Sequence, residues 1–335
     1  MWTHRIIGLG LFWVMACSGS STDKPVTTNL LENPLAAFPT ALSSVGLYPD
    51  LNDVTIVAEA VLEYTPMWPL WSNGSEKRRY IQLPEGAIID NSDSTRWIFP
   101  VGTLLFKTFL FPHEEDLSTL RPVETRILRK AETEWEYAAY LWNESSTEAT
   151  LLAMKKTKTV SIVGPDGELA DHKIPSRRQC RQCHESSQDT VLGFNELQLN
   201  GDSGVELTRI VENGLLSQAP ADPAGSIGEH DALTSAFLGY LQGNCVACHN
   251  GTDGPSSSFD LRAEVALENL IDQPTNSTAA LSGIRVIPGN PQDSILYQGI
   301  SGETDDPEVK NMPPVGVQIL DETAISLVYD WILSL

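Results

Sequence analysis

Cys245-Val246-Ala247-Cys248-His249 decides how the C-terminal half of this chain is read. Two thiols three positions apart, followed directly by an imidazole, form the pattern in which haem is attached covalently. The thiols add to the two vinyl groups, and the adjacent histidine turns its ring to the iron. The same pattern stands earlier, in Cys180-Arg181-Gln182-Cys183-His184. The spacing predicts each pair on the first turn of a helix, one turn separating its thiols. Three other uses of vicinal cysteines fit less well. A thioredoxin-like redox pair calls for a strand followed by a long helix, which surrounds neither copy. A zinc ion shared by both pairs leaves the common histidine offset unexplained. Disulfides across two-residue gaps would close tiny loops and stabilise little.

Outward from the second motif, Ala232 to Leu241 carries Leu233, Phe237, Tyr240 and Leu241 at helical intervals and leads through Gly243 and Asn244 into Cys245. A polar loop, residues 250–258, follows His249, and a helix is expected from Leu261 to Ile271. Arg285 to Pro291 reads as extended chain and turn. Met312 stands in Asn311-Met312-Pro313-Pro314, and an amphipathic helix closes the chain from Asp321 to Leu333. Ile325, Val328, Trp331 and Ile332 share one face of it, expected to pack beside the haem-bearing helix. This order resembles class I cytochrome c domains. It makes Met312 the expected sixth ligand opposite His249, on a loop that Pro313 and Pro314 stiffen.

The first motif has no such partner. Between His184 and Cys245 there is no methionine, and the only histidine is His230. A sixth ligand must be His230, or come from His172, Met154, Met67 or His113. An open distal position would instead permit small-ligand or peroxide chemistry. Leu207, Ile210, Val211, Leu215 and Leu216 form a further helical stripe between the motifs.

The N-terminus supplies the compartment that covalent haem attachment needs. One positive charge at Arg5 precedes an apolar run from Ile6 to Ala16, too short for a permanent membrane span but suited to an export signal. The run ends Val14-Met15-Ala16-Cys17, the form of a bacterial lipobox, so residues 1–16 read as a signal peptide and Cys17 as the lipidated residue. Ser18 after it points to the outer membrane. Residues 17–30 read as a flexible tether. Cysteine counting agrees: of five cysteines, Cys17 takes lipid and the other four complete two motifs.

Residues 31–170 have a different texture. Trp97 to Pro100, Leu104 to Phe111, Thr125 to Leu128, Glu134 to Leu141 and Thr157 to Val163 read as strands, with turns at Asn73-Gly74 and Asp166-Gly167. The pattern predicts a β-sandwich-like domain. Glu124 with Arg126, and the cluster Lys77-Arg78-Arg79, read as structural ion pairs. The fold class is therefore α+β and multidomain. A β-rich domain (31–170) precedes a first haem segment (171–230) and an all-α cytochrome c-like domain (231–335).

The chain also resembles a group of bacterial dihaem c-type cytochromes with an N-terminal β-rich domain. The likeness lies in Pro69-Leu70-Trp71-Ser72-Asn73-Gly74-Ser75-Glu76-Lys77-Arg78-Arg79-Tyr80-Ile81, then Leu83-Pro84-Glu85-Gly86. It continues in Phe99-Pro100-Val101-Gly102-Thr103, Lys107-Thr108-Phe109 and Glu124-Thr125-Arg126. Ile174-Pro175-Ser176-Arg177, Leu192-Gly193, Gln198-Leu199-Asn200 and Tyr240-Leu241 extend it to the two motifs, and Pro288-Gly289, Met312-Pro313-Pro314 and Trp331-Ile332 close it. The resemblance covers nearly the whole mature chain and implies two covalently bound haems, but no substrate. The family's usual Asp after Trp-Ser is Asn73 here.

Composition bounds the partners. With 44 acidic against 22 basic residues the net charge is −22, which repels phosphate backbones and sets nucleic acid aside. Four haem propionates would add to that charge and favour a basic redox protein. The expected function is electron transfer in the bacterial cell envelope by a lipid-anchored dihaem cytochrome. The alternatives are a dihaem peroxidase or cytochrome-linked dehydrogenase with an open first haem, and a docking module that carries a cytochrome domain.

Overall fold

The structure is a computed structural model that describes residues 1, 29–93, 96–185, 190–200, 205–220, 227–251, 260–275, 283–304, 309 and 311–335. The export signal beyond Met1, Cys17 and all but the end of the tether lie outside the described residues. Six strands run in sequence as an antiparallel meander: β1 (Leu62–Tyr64), β2 (Glu76–Gln82), β3 (Leu104–Pro112), β4 (Leu120–Lys130), β5 (Trp135–Trp142) and β6 (Ala149–Leu151). Residue alternation gives the sheet two faces with different tasks. Tyr80, Phe106, Ile127 and Ala138 lie opposite one another across β2 to β5 and pack on Leu42, Val45, Leu47 and Tyr48 of the segment before the sheet. Buried hydroxyls tie that segment down: Tyr48 Oη meets Thr108 Oγ1 at 2.6 Å, Thr108 meets Thr125 at 2.8 Å, and Trp142 Nε1 donates to Thr125 at 2.9 Å.

The opposite face carries Arg79, Lys107, Arg126 and Ala139 in one row and Ile81, Leu105, Leu128 and Tyr137 in the next. A sandwich would cover it with a second large sheet. The only other sheet among the described residues is a two-stranded ribbon, β7 (Lys158–Val163) with β8 (Leu169–Ile174). Helices and loops from the second half cover the rest. The Trp97–Pro100 strand is also not formed. Ile98 makes one bridge to Asp90, while Trp97 and Phe99 turn inward against Phe194. Pro100 has no N–H with which to extend the ladder. Conversely, Lys77-Arg78-Arg79 lies inside β2, all three paired with β3 and Arg79 with β1 as well.

Among the described residues seven α-helices follow: α1 (Arg177–His184), α2 (Glu196–Asn200), α3 (Val205–Glu212), α4 (Ala232–Asn244), α5 (Ala263–Leu270), α6 (Ile295–Ser301) and α7 (Glu322–Ser334). Among the described residues no helix is long and apolar enough to cross a membrane. Asp231 caps α4 by accepting from the Leu233 and Thr234 amides, and Asp321 caps α7 through the Ala324 amide. The expected face of α7 does meet α4: Trp331 stacks on Phe237 with centroids 3.7 Å apart and planes 10° apart. Such a pair contributes about 1 kcal/mol beyond its burial. The chain is thus a mixed fold of sheets and separate helical segments.

One loop of the β-rich part threads through the helical part. The Met67 amide donates to Gln198 O at 2.7 Å, and the Trp71 amide to Asn244 Oδ1 at 2.7 Å. Trp71 Nε1 reaches Ile319 O at 2.8 Å. Trp68 lies on α4 where only glycine leaves room. A Cβ at Gly239 would fall 2.1 Å from the indole nitrogen, and one at Gly243 would fall 2.6 Å from the Trp68 carbonyl oxygen.

Candidate functional site

Both cysteine motifs stand at the C-terminal ends of helices, not on first turns. In α1 the start is fixed by Ser176, whose amide and hydroxyl donate to Gln179 Oε1 at 2.9 and 3.0 Å. That start leaves Cys180, Cys183 and His184 to the second turn. In the second motif α4 ends at Asn244, and Cys245 to His249 form a tight turn closed by the His249 amide on Cys245 O at 2.9 Å. In the second case the apolar face of α4, with Phe237, Leu238 and Leu241 buried, is the helix body and the motif comes after it; in the first, three polar residues, Arg177 to Gln179, fill the first turn ahead of Cys180.

His184 is held as a ligand-presenting histidine would be. Its Nδ1 lies 2.8 Å from Thr190 O. A carbonyl only accepts, so Nδ1 carries the proton and Nε2 keeps the lone pair. Burial holds the His184 pKa down to about 4, so the ring is neutral at ordinary pH. Tyr137 sits beside it, ring centroids 5.7 Å apart. Cys180 is buried against Tyr137, Ala139, Met154 and Ile174, and that burial raises its thiol pKa.

Cys183 and Cys248 meet. A hydrogen bond between the two thiols, followed by burial, raises the pKa of Cys183. Cys245 points elsewhere, into the cluster around Phe237 and Trp331, where burial lifts its thiol to about 12. All four are free thiols.

A cavity of about 630 Å³ runs between the sheet and the helices, a volume typical of cofactor sites. Cys180, Cys183 and His184 border it, as do Val246, Ala247 and Cys248 of the second motif, whereas Cys245 and His249 are not on its wall. The first motif therefore owns the better-formed cavity, although sequence reasoning finds the fuller ligand context at the second. From the far side the loop after Met312 contributes Pro313 and Val315 to Val317. Met312 itself is 40 % exposed and off the cavity wall, its amide held by Gly299 O at 2.8 Å.

Of the candidate sixth ligands for the first site, only His172 borders the cavity. It is 1 % exposed and held at both nitrogens, Nδ1 by Asn73 Nδ2 at 3.1 Å and Nε2 by Glu124 Oε2 at 3.2 Å. Because the Asn73 amide donates, Nδ1 accepts and Nε2–H donates to Glu124. Asn73 also grips the Met312 loop: its Oδ1 accepts from the Gln318 and Ile319 amides at 2.7 and 3.0 Å, and its Nδ2 donates to Gln318 Oε1 at 3.1 Å. Met154 packs beside Cys180, Met67 is engaged with Gln198 through its backbone, and His113 and His230 lie away from the cavity.

Sequence reasoning did not find Arg79, Lys107 and Arg126 as cavity residues. Alternation in Lys77-Arg78-Arg79 was the one available signal, because it separates Arg78 from its neighbours. Among the described residues no group of three or more His, Cys, Asp or Glu side chains is placed to hold a metal ion, so a zinc ion shared by the two pairs has no assembled site there. No protein-family model, curated protein or solved structure matches the chain.

Proposed function

We propose that this chain is a c-type cytochrome of the bacterial cell envelope, anchored by lipid at Cys17, that carries two covalently attached haems and passes electrons between redox proteins. The observation that carries the reading is the meeting of both motifs at one cavity, with His184 oriented by Thr190 O and Cys183 touching Cys248. The residues of the first motif fit the group, all three bordering a cavity of cofactor size. Cys180 and Cys183 would hold the first haem, with His184 as iron ligand. Cys245 and Cys248 would hold the second, with His249 and Met312 as its ligands. Bound haem supplies a one-electron couple. The chain's part is to fix the attachment points, keep the histidine neutral and exclude water from the cavity. Contact between Cys183 and Cys248 brings the two attachment points together, which favours electron exchange within the molecule. The net charge of −22 suits a transient encounter with a basic partner.

Intact mass spectrometry of the mature protein tests this directly. Two haem masses and a lipid on Cys17 are expected, and replacing Cys180 and Cys183 with alanine lowers the haem count from two to one. Absence of covalent haem from the exported protein would sink the reading.

One observation favours a catalytic reading of the first site: the single candidate sixth ligand at the cavity, His172, is already bonded at both nitrogens. A high-spin component in the absorption spectrum supports an open iron position. Two low-spin haems exclude it.

A further inference from the structure

Arg79, Lys107 and Arg126 are direct cross-strand neighbours, Arg79 opposite Lys107 and Lys107 opposite Arg126. All three border the cavity that the first cysteine pair also borders, and Cys180 packs on Ala139, the next residue of the same row. Like charges set opposite one another destabilise a sheet, and withdrawal from water adds to the cost. A single carboxylate on this face relieves them. Glu124, fully buried, takes Arg126 in a two-point pair at 2.6 and 2.9 Å and accepts from His172 as well. Among the described residues neither Arg79 nor Lys107 has an ion-pair partner. Arg79 is 6 % exposed and donates to Lys77 O at 3.4 Å. Burial, together with Arg79, Lys77 and Arg126, pushes the Lys107 ammonium well below its ordinary pKa. Glu124 itself is not on the cavity wall, and the carboxylates that are, Glu196 and Glu264, belong to the helical side. A chain with 44 acidic residues thus gathers three cations around one carboxylate beside this cavity. That charge imbalance calls for an anion from outside the polypeptide.

We propose that the Arg79–Lys107–Arg126 row, which runs along the sheet away from Cys180, is a carboxylate receptor, and that it takes the propionates of the haem attached at the first cysteine pair. The source of the carboxylates rests on the cytochrome reading; the receptor itself does not. A guanidinium fork matches a carboxylate at two points, and the lysine between the arginines supplies a compact charge. The β-rich part would then be a wall of the cofactor site and not a separate docking module.

Two measurements on the full-length protein test this. In the haem-loaded protein, Lys107→Met makes one haem harder to reduce by about tenfold in its one-electron equilibrium, ~59 mV, because a cation nearby favours the less positive iron. Lys107→Arg keeps the wild-type potential, and Lys107→Gln serves if the methionine variant does not fold. In calorimetry, acetate binds the Cys180→Ala/Cys183→Ala protein, whose row is vacated, and Lys107→Met abolishes that binding. Lys107-dependent acetate binding to the fully haem-loaded protein supports the receptor but overturns propionates as its ligand. Unchanged potentials with no Lys107-dependent acetate binding overturn the whole proposal while two covalent haems would leave the cytochrome reading standing. If the wild-type protein carries no haem, the cytochrome reading fails, and acetate titration of that protein against Lys107→Met decides the receptor alone.

Discussion

Cys183, on the last turn of α1, hydrogen-bonds to Cys248, in the turn after α4. Each residue is the second cysteine of its motif, so the two motifs touch at equivalent positions. The loop from Met67 to Asn73 is bonded to three segments of the helical part, one of them ending next to the second motif. Gln198 holds its start, Asn244 its middle, and Gln318 and Ile319 its end. Loss of any of these anchors should therefore be felt at the cavity as well as in stability.

Asn73 is the strongest of them. Replacement by alanine removes two donated and two accepted hydrogen bonds in a buried setting, at a cost of roughly 3 kcal/mol. Denaturant unfolding should show that loss, and limited proteolysis should cut the loop between residues 311 and 319 sooner than in the wild type. An unaltered cleavage pattern would mean that the loop is held by something other than Asn73.

The two glycines of α4 make a paired prediction. Gly239→Ala collides with the Trp68 ring and Gly243→Ala with the Trp68 backbone carbonyl, each destabilising by about 2 kcal/mol as overpacking does. In a Trp68→Ala background the first penalty should largely vanish, and the second should persist. A double-mutant cycle measures the difference. Equal coupling at both positions would contradict the observed packing.

Acid should unfold the protein partly through Glu124. Burial opposes ionisation of its carboxyl, but Arg126 and the His172 hydrogen bond outweigh it and leave the pKa below the ordinary 4.5. A depressed folded pKa gives stability that is present above the unfolded value and disappears as pH falls through the folded one. Glu124→Gln should cost about 2–3 kcal/mol at pH 7 by removing the charged hydrogen-bond partner of half-buried Arg126. The gap between wild type and variant should narrow as pH drops below 4.5. A gap constant from pH 7 to pH 3 would show that the carboxylate does not titrate with folding.

Met312 separates ligand from filler. Because the side chain is 40 % exposed, Met312→Ala should change stability by no more than about 0.5 kcal/mol. In the haem-loaded protein the same change should shift one haem's potential and abolish the methionine–iron charge-transfer band. Survival of the band would remove Met312 from the site.

How much of this was written in the sequence depends on the range of the interactions involved. Local order was legible. Helical periodicity located α3, α4, α5 and α7 to within a few residues, and alternation found β3, β4, β5 and β7, because those signals repeat within one element. Strand β2 was hidden, since a run of cations looks like surface until its neighbours are known. The sandwich expectation gave way to a meander and a ribbon because strand count and spacing do not say what covers a face.

The cysteine motifs were determined by sequence alone, since their chemistry lies in bonds between near neighbours: two thiols, one imidazole and a fixed spacing. Their shared cavity was not. Sequence favoured the second motif, with Met312 in reach along the chain. The fold instead places both cysteines and the histidine of the first motif on the cavity, with Cys183 against Cys248 and three cations on the sheet beside them. Strand register sets Lys107 between Arg79 and Arg126, and a threaded loop brings residues far apart in the chain into hydrogen-bonding distance. Register and threading arise from the packing of whole elements, so only the tertiary structure decided them.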